Sequence, residues 1–503
     1  MSLFFSATAY NPHRLYVAAG LAALLSGWAR PTQAQDAPAV PPPPAAQPAP
    51  APVPAPAPAA PTPAPTAALD LSAKLDEADQ IARIAARKVE LLEEQLATRA
   101  KESPAVLVDD KGLGIRSADG GTTVRVHGLV QSDSRWFLGD DALSDRLDTF
   151  YMRRVRPSID GTLFNFADYR LVPDFAGSTA VLFDAYADIH PVPWARLRAG
   201  KYKSPLGLER LQTDADLSLP ERALSQYLTP NRDVGISLWG DIAGGVINYS
   251  IGIYNGGFDN SNLDVDSNHA KDLVGRLLIQ PFKVEALKGL GALGIHLAAS
   301  TGDRRGLPTA TLLPQFRTAG MNTFFSYLAP TPDPDGSKTP FAYLTQTRLN
   351  PGLFYYFGPF GLVSEAVWNR QEVRKGNAIA KLTHKAAHAT VSIVLGGKAG
   401  YDGATPTRIL DLSKGTLGAL ELVARVNWLK VDGATFPDYA DITRSASKAQ
   451  GWGAGLNYLP SRVLRITAAY ERTTFTGGGG GTAAAPKDRN TEAVVIGRVQ
   501  VNF

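Results

Sequence analysis

Glu492-Ala493-Val494-Val495-Ile496-Gly497-Arg498-Val499-Gln500-Val501-Asn502-Phe503 puts Ala493, Val495, Val499, Val501 and Phe503 on one side of an extended chain. Glu492, Arg498, Gln500 and Asn502 fall on the other. Side chains alternate across a strand, so the run reads as a strand with one apolar and one polar face. The pattern recurs upstream. Leu464, Ile466, Ala468 and Tyr470 oppose Arg465, Thr467 and Glu471, and Leu420, Leu422, Ala424, Val426 and Trp428 oppose Glu421, Arg425 and Asn427. Near residue 124, Val124, Val126 and Val130 oppose Arg125, His127, Gln131, Asp133 and Arg135. Runs of about ten residues separated by Gly, Asp, Asn and Pro clusters are the signature of membrane-crossing strands.

A soluble sandwich would alternate too, but it seldom carries Trp and Tyr at the ends of its apolar face. Trp136, Trp239, Trp368, Trp428, Trp452, Tyr458 and Tyr470 lie near predicted strand ends, where an aromatic girdle belongs. Residues 105–503 therefore read as an all-β, 16-stranded antiparallel transmembrane β-barrel. Strands are expected to start near 122, 149, 168, 181, 195, 233, 245, 269, 290, 344, 361, 384, 418, 448, 462 and 491. Sixteen strands enclose an aqueous channel. The longest gaps, 204–232 and 302–343, leave room for one of them to fold inward.

The chain before the barrel is of another kind. His13 and Arg14 precede an apolar run from Leu15 to Leu25, and Thr32-Gln33-Ala34 offers small residues for cleavage, so residues 1–34 read as a secretory signal peptide. Residues 35–68 form a Pro/Ala-rich linker, with 14 of the 37 prolines between 36 and 68, too extended to bury a core. Residues 69–104 read as a coiled-coil helix. Leu71, Leu75, Ala78, Ala82, Ala85, Val89, Leu92 and Leu96 follow spacings of four and three, and Ser103-Pro104 ends the run. The chain has no Cys, which excludes disulfide scaffolds and thiolate metal sites. Its formal charge of +4 over 503 residues gives no reason to expect nucleic acid as a partner.

A pore selects by the charges at its narrowest part. In Tyr151-Met152-Arg153-Arg154-Val155-Arg156-Pro157, alternation puts Arg154 and Arg156 inside, while Arg153 breaks the pattern and belongs at a strand end or bend. Asp184, Tyr186 and Asp188 face inward on the fourth strand, and a phase change near Gly200 brings Lys201 and Lys203 to the entrance of the first long gap.

Arg153-Arg154-Val155-Arg156, the run Gly200-Lys201-Tyr202-Lys203-Ser204-Pro205-Leu206-Gly207-Leu208-Glu209-Arg210 and Asn231-Arg232-Asp233-Val234-Gly235 resemble the phosphate-selective porin O and P family over about 122–503. The resemblance implies a homotrimer of 16-stranded barrels in the outer membrane of a Gram-negative bacterium, in contact with its lipid. It also implies that the third external loop narrows the channel and that basic residues guide phosphate or other small anions. By it Arg153, Arg154, Lys201, Lys203, Arg222 and Arg232 join Arg156 as constriction candidates, with Asp184 or Asp188 as acidic partner. A phosphate losing water needs several N–H donors, which guanidinium supplies in a planar fork. The bland alternative is that these arginines pair with carboxylates across the wall. Residues 105–503 carry 43 basic against 38 acidic residues, a mild anion preference only.

No enzyme is expected. Gly-x-Ser-x-Gly, His-Glu-x-x-His and the phosphate-cradling Gly-x-x-x-x-Gly-Lys-Ser/Thr are all missing from the sequence, and no cofactor is implied. His384 and His388 would sit ~13 Å apart on a strand, too far to act as a metal-binding pair. Two readings stay open beside a phosphate pore. One is a general or weakly selective porin; the other is an envelope tether whose linker and coiled coil bind the cell wall.

Overall fold

The computed structural model describes residues 66–109, 112–139, 147–262, 266, 268–283, 289–331 and 337–503. The expected signal segment and nearly all of the Pro/Ala linker lie outside them. Thr66–Glu102 is one α-helix, which takes in the last three residues of the expected linker. Ion pairs Arg83–Asp79 (2.7 Å) and Arg87–Glu90 (2.6 Å) lace its surface. Leu75, Val89, Leu92 and Leu96 of the expected seam are exposed on this single chain, as are Ile81 and Ile84 outside it. An exposed apolar stripe of this kind is the face that a second helix would cover.

The rest is built on a closed antiparallel sheet. Its strands are β1 (Thr123–Phe137), β2 (Thr149–Leu163), β3 (Ala167–Asp174), β4 (Val181–Val192), β5 (Ala195–Tyr202), β6 (Asp233–Ile242), β7 (Ile247–Tyr254) and β8 (Asp272–Ile279). They continue as β9 (Leu293–Arg305), β10 (Phe341–Phe357), β11 (Phe360–Lys375), β12 (Ala378–Leu395), β13 (Ala419–Lys430), β14 (Ala446–Leu459), β15 (Leu464–Gly481) and β16 (Glu492–Asn502). Each strand pairs with its neighbours in sequence, and β16 closes the ring on β1 from Val494↔Phe137 to Asn502↔Leu129. Fifteen of the sixteen strands start within three residues of the positions expected from alternation, and β12 starts at Ala378, six residues before the expected 384. At the seam Phe503 and Gly128 exchange backbone hydrogen bonds of 2.8 and 3.0 Å. The Phe503 ring covers Gly128 so closely that a methyl group there would come within 2.6 Å of it. A hairpin, 105–109 with 112–116, extends the sheet alongside the start of β1.

Burial is inverted relative to a soluble protein. Leu238, Ile251, Leu297, Leu349, Val391, Leu422 and Val499 are exposed, whereas Gln131, Asp133, Asn350, Glu365, Arg425, Glu471 and Arg498 are buried. Only a nonpolar surrounding makes that outer surface favourable, so the outside of the barrel faces lipid. Outward aromatics form two belts. Trp136, Trp368, Trp428 and Trp452 lie towards one rim, and Phe164, Trp194, Phe357 and Phe360 towards the other. Phe360 and Trp368 lie eight residues apart on β11, about 27 Å of strand, or about 21 Å of height at a tilt near 40°. Trp239 does not belong to the girdle: it points inward, Nε1 donating to Asp188 Oδ2 at 3.2 Å.

Several connections enter the barrel, three of them at length among the described residues. Segment 203–232, after β5, crosses the lumen and bonds walls far apart: Leu208 N donates to Glu365 (2.6 Å), while Arg465 donates to the Leu217 carbonyl (2.8 Å). Residues 306–331 also fold inward, beyond the single inward loop expected. Phe316, Phe324 and Phe325 pack with Tyr227, Val367, Leu382 and Leu429 in the largest apolar cluster. From the opposite rim, residues 396–418 send Tyr401 in, its hydroxyl donating to the Leu208 carbonyl at 2.5 Å.

Candidate functional site

The lumen is packed on one side and hollow on the other. On the packed side, two carboxylates from segment 203–232 collect the arginines of β1, β2 and β16. Glu221 takes Arg153 through Nε at 2.7 Å and Nη2 at 2.9 Å, and Arg135 at 2.7 Å, with Arg498 at 3.7 Å. Asp214 lies 3.3 Å from Arg154 and bonds Arg156 and Arg222 directly. Burial by itself would raise both carboxyls. The guanidiniums, Arg154 foremost for Asp214 and Arg153 for Glu221, instead hold them well below their ordinary values.

Arg153 is where alternation said the strand would break. The β1–β2 register runs Gln131↔Arg154 and then Ser132↔Met152, so Arg153 is the extra residue of a β-bulge. The bulge turns consecutive arginines to the same side. Arg154 is 3% exposed and also donates to Gln131 at 2.6 Å, and Arg222 further donates to the Gln212 carbonyl at 2.6 Å. These candidates are brought together, with their donors largely spent on segment 203–232.

The hollow side lies along β2 to β8. A cavity of about 480 Å³ is lined by Arg156, Arg170, Asp184, Tyr186, Arg198, Lys203 and Arg232, among others. A second, of about 1050 Å³, runs from Lys203 and Arg198 past Trp239 and Arg276 to the opposite rim at Gly244 and Lys283. Arg198, Tyr202, Lys203 and Leu211 border both. Aromatic faces hold the guanidiniums flat on the wall: Arg156 and Arg232 lie 3.9 and 4.4 Å from the Phe183 ring, and Arg198 lies 4.4 Å from Tyr186.

Arg156 is shared between the two sides, donating to Asp174 at 2.6 Å, and Arg232 pairs with Asp184 at 3.2 Å. Asp188, 1% exposed, gathers Arg198 (2.7 Å), Arg196 (3.5 Å) and Trp239; of the two acidic candidates Asp184 borders the 480 Å³ cavity, and Asp188 borders a smaller one of about 370 Å³ with Tyr186, Arg170 and Arg198. Lys201, the penultimate residue of β5, is buried and borders neither cavity.

Lys203 Nζ donates to the main-chain carbonyls of Gln212 (2.5 Å) and Leu211 (3.4 Å), and no carboxylate lies within ion-pair distance among the described residues. Arg276 is similar, bonding Asn248 (2.7 Å) and His296 (3.4 Å). Burial first, then the charges of Arg222 and Arg232, pushes Lys203 well below its ordinary value. Crowding of this kind is the field that draws in an anion. Arg170, Arg198 and Arg276 were missed from the sequence, although each sits at an inward position of its strand.

The profile of the phosphate-selective porin O and P family matches residues 124–503. No curated protein sequence matches the chain. Among solved structures, the anion-selective porin from Comamonas acidovorans is 13% identical, over 76% of this chain and 100% of its own, with a TM-score of 0.48. An OmpF of Salmonella typhi in complex with daunomycin is 10% identical over 79% and 100% (TM-score 0.49). The outer-membrane channel DcaP of Acinetobacter baumannii is 11% identical over 77% and 99% (TM-score 0.46). With the family profile covering the whole barrel, the chain belongs to the phosphate-selective porin O and P family: it is a porin of the Gram-negative outer membrane, a channel and not an enzyme.

Proposed function

We propose that the barrel conducts small anions, phosphate among them, along the hollow side of its lumen, with Lys203 as the gatepost between the two cavities. The observation that carries this reading is Lys203 itself, a cation at the junction of both cavities held by carbonyls and not by a carboxylate. An anion passing there meets one uncommitted N–H and the nearby guanidiniums of Arg156, Arg170, Arg198 and Arg232, each moderated by an acidic partner. Conduction needs sites of this kind, attractive enough to enter and weak enough to leave. Arg153, Arg154 and Arg222 act one step back, by fixing the segment that narrows the channel. The same reading has the porin as a homotrimer, with the N-terminal helix and linker reaching the cell wall.

The test is planar-bilayer recording of the purified porin, with reversal potential in a KCl gradient and block of chloride current by phosphate. Anion-selective current blocked by phosphate, with block about tenfold weaker in Lys203→Gln, is the expected result. A specific observation favours weaker selectivity: Asp214 and Glu221 neutralise much of the arginine cluster. Weakly selective current with no phosphate block would make this a general porin.

A further inference from the structure

Where segment 203–232 meets β11 and β12, Glu209, Glu365 and His388 converge. One imidazole nitrogen and one oxygen from each carboxylate all lie within 4.8 Å of one another. Glu365 and His388 face each other across paired strands, and Glu209 comes from the short helical turn Leu208–Leu211. All three are at least 95% buried. His384, four residues before His388, is occupied elsewhere, by the Tyr327 hydroxyl (2.7 Å) and the Asp432 amide (3.1 Å).

The local charge does not balance. Two guanidiniums adjoin: Arg425, committed to Glu471 at 2.5 Å and lying 3.6 Å from Glu209, and Arg222, which donates to the Glu209 main-chain carbonyl at 3.2 Å and whose charge is committed to Asp214. With Arg222 set against Asp214, three carboxylates, Glu209, Glu365 and Glu471, share the charge of Arg425. With a neutral imidazole the cluster carries two excess negative charges away from water, a state that burial strongly disfavours. Neutral donors hold the carboxylates in place: Leu208 N (2.6 Å), Asn350 (3.0 Å) and the Ser225 hydroxyl (3.0 Å) on Glu365, and Ala223 N (2.8 Å) on Glu209. Independently, His388 is spoken for at Nδ1, 3.1 Å from Ser225 Oγ, whereas its buried Nε2 has no hydrogen-bond partner among the described residues.

We propose that Glu209, Glu365 and His388 bind a first-row divalent cation of the zinc type, which ties the inward segment to the wall. One imidazole and two carboxylates make a mixed nitrogen and oxygen donor set suited to such an ion, and its two charges offset the excess. Ligand bonds of about 2.0–2.2 Å require the three atoms to draw together by only about 1.5 Å. A 10 Å³ void bordered by Glu209, Thr390 and Arg425 gives Glu209 room to move. The ion is a staple, and the proposal does not depend on which solute the channel carries.

The test uses the full-length porin without a polyhistidine tag, stripped with EDTA and titrated with Co²⁺, whose visible absorption reports protein ligands. Zn²⁺ competition and elemental analysis follow. Saturable binding of one ion per chain is expected, with the Co²⁺ band lost and Zn²⁺ affinity down by at least about tenfold in His388→Ala. Glu209→Gln serves as second variant should His388→Ala fail to assemble, because it keeps an oxygen for the Ala223 amide. Wild type that takes up no Co²⁺ or Zn²⁺ at neutral pH, or a folded variant that keeps the band, overturns the proposal.

Discussion

The two sides of the lumen use the same residue types to opposite ends. On the β1, β2 and β16 side, guanidiniums meet carboxylates of segment 203–232 and the space closes. On the β3 to β8 side, Lys203 and Arg276 meet carbonyls, an amide and an imidazole, and the space stays open. Basic residues in a porin lumen therefore do not announce an ion path. What matters is where each carboxylate comes from: Arg170, Arg198 and Arg232 pair with Asp160, Asp188 and Asp184 of the wall itself, whereas Arg135 and Arg153 pair with Glu221 of the inward segment.

The comparison breaks first at Glu221. Glu221→Gln leaves Arg135 and Arg153 facing a neutral amide in a buried place, at a cost of about 3–5 kcal/mol. Segment 203–232 should then become open to limited proteolysis and the channel noisy in bilayers. Unchanged protease resistance would mean that the packed side is held by something else. Arg154→Gln should lower stability in denaturant by about 2–4 kcal/mol while leaving phosphate block near wild type, since Arg154 faces protein. A loss of block comparable with that in Lys203→Gln would erase the distinction between the sides.

Titration sharpens it. Lys203 lies well below its ordinary value of 10.5, so its charge is lost earlier than usual as pH rises; anion preference should fall at a lower pH than an exposed lysine would allow, and Lys203→Arg should abolish the fall. Asp214 and Glu221 behave oppositely. Their folded values lie below the ordinary 3.8 and 4.5, so the stability they give is full above those values and fades only as pH drops beneath them. Protease resistance of the segment should thus hold to about pH 5 while selectivity changes at the other end of the scale. The smallest effect is expected at Tyr401→Phe, which removes the hydroxyl bond to Leu208 and should cost about 0.5–1.5 kcal/mol, read as a modest rise in current noise.

The barrel was legible because a strand repeats its message. Four or five alternating positions locate each strand, and even the bulge at Arg153 shows as two adjacent arginines in a run that otherwise alternates. The same rule, applied to Ile236, Leu238 and Trp239, would have placed that tryptophan inside. The site was less legible for a physical reason. Asp214 and Glu221 sit in a segment with no period, and which wall arginine each meets depends on the path across the lumen. The inward course of residues 306–331 is visible only once Phe316, Phe324 and Phe325 are seen against Leu382 and Leu429.

The ring closes only when β16 reaches β1, strands at opposite ends of the barrel sequence. Until residues 492–502 arrive, a partly delivered chain exposes two raw sheet edges, each able to capture a strand from another molecule. Assembly of this porin is therefore a matter of timing as much as of affinity, and the Phe503–Gly128 contact is the last stitch. Loosening it, by Gly128→Val for example, should show up first as trapped, chaperone-dependent intermediates in the periplasm, before any defect in the finished channel.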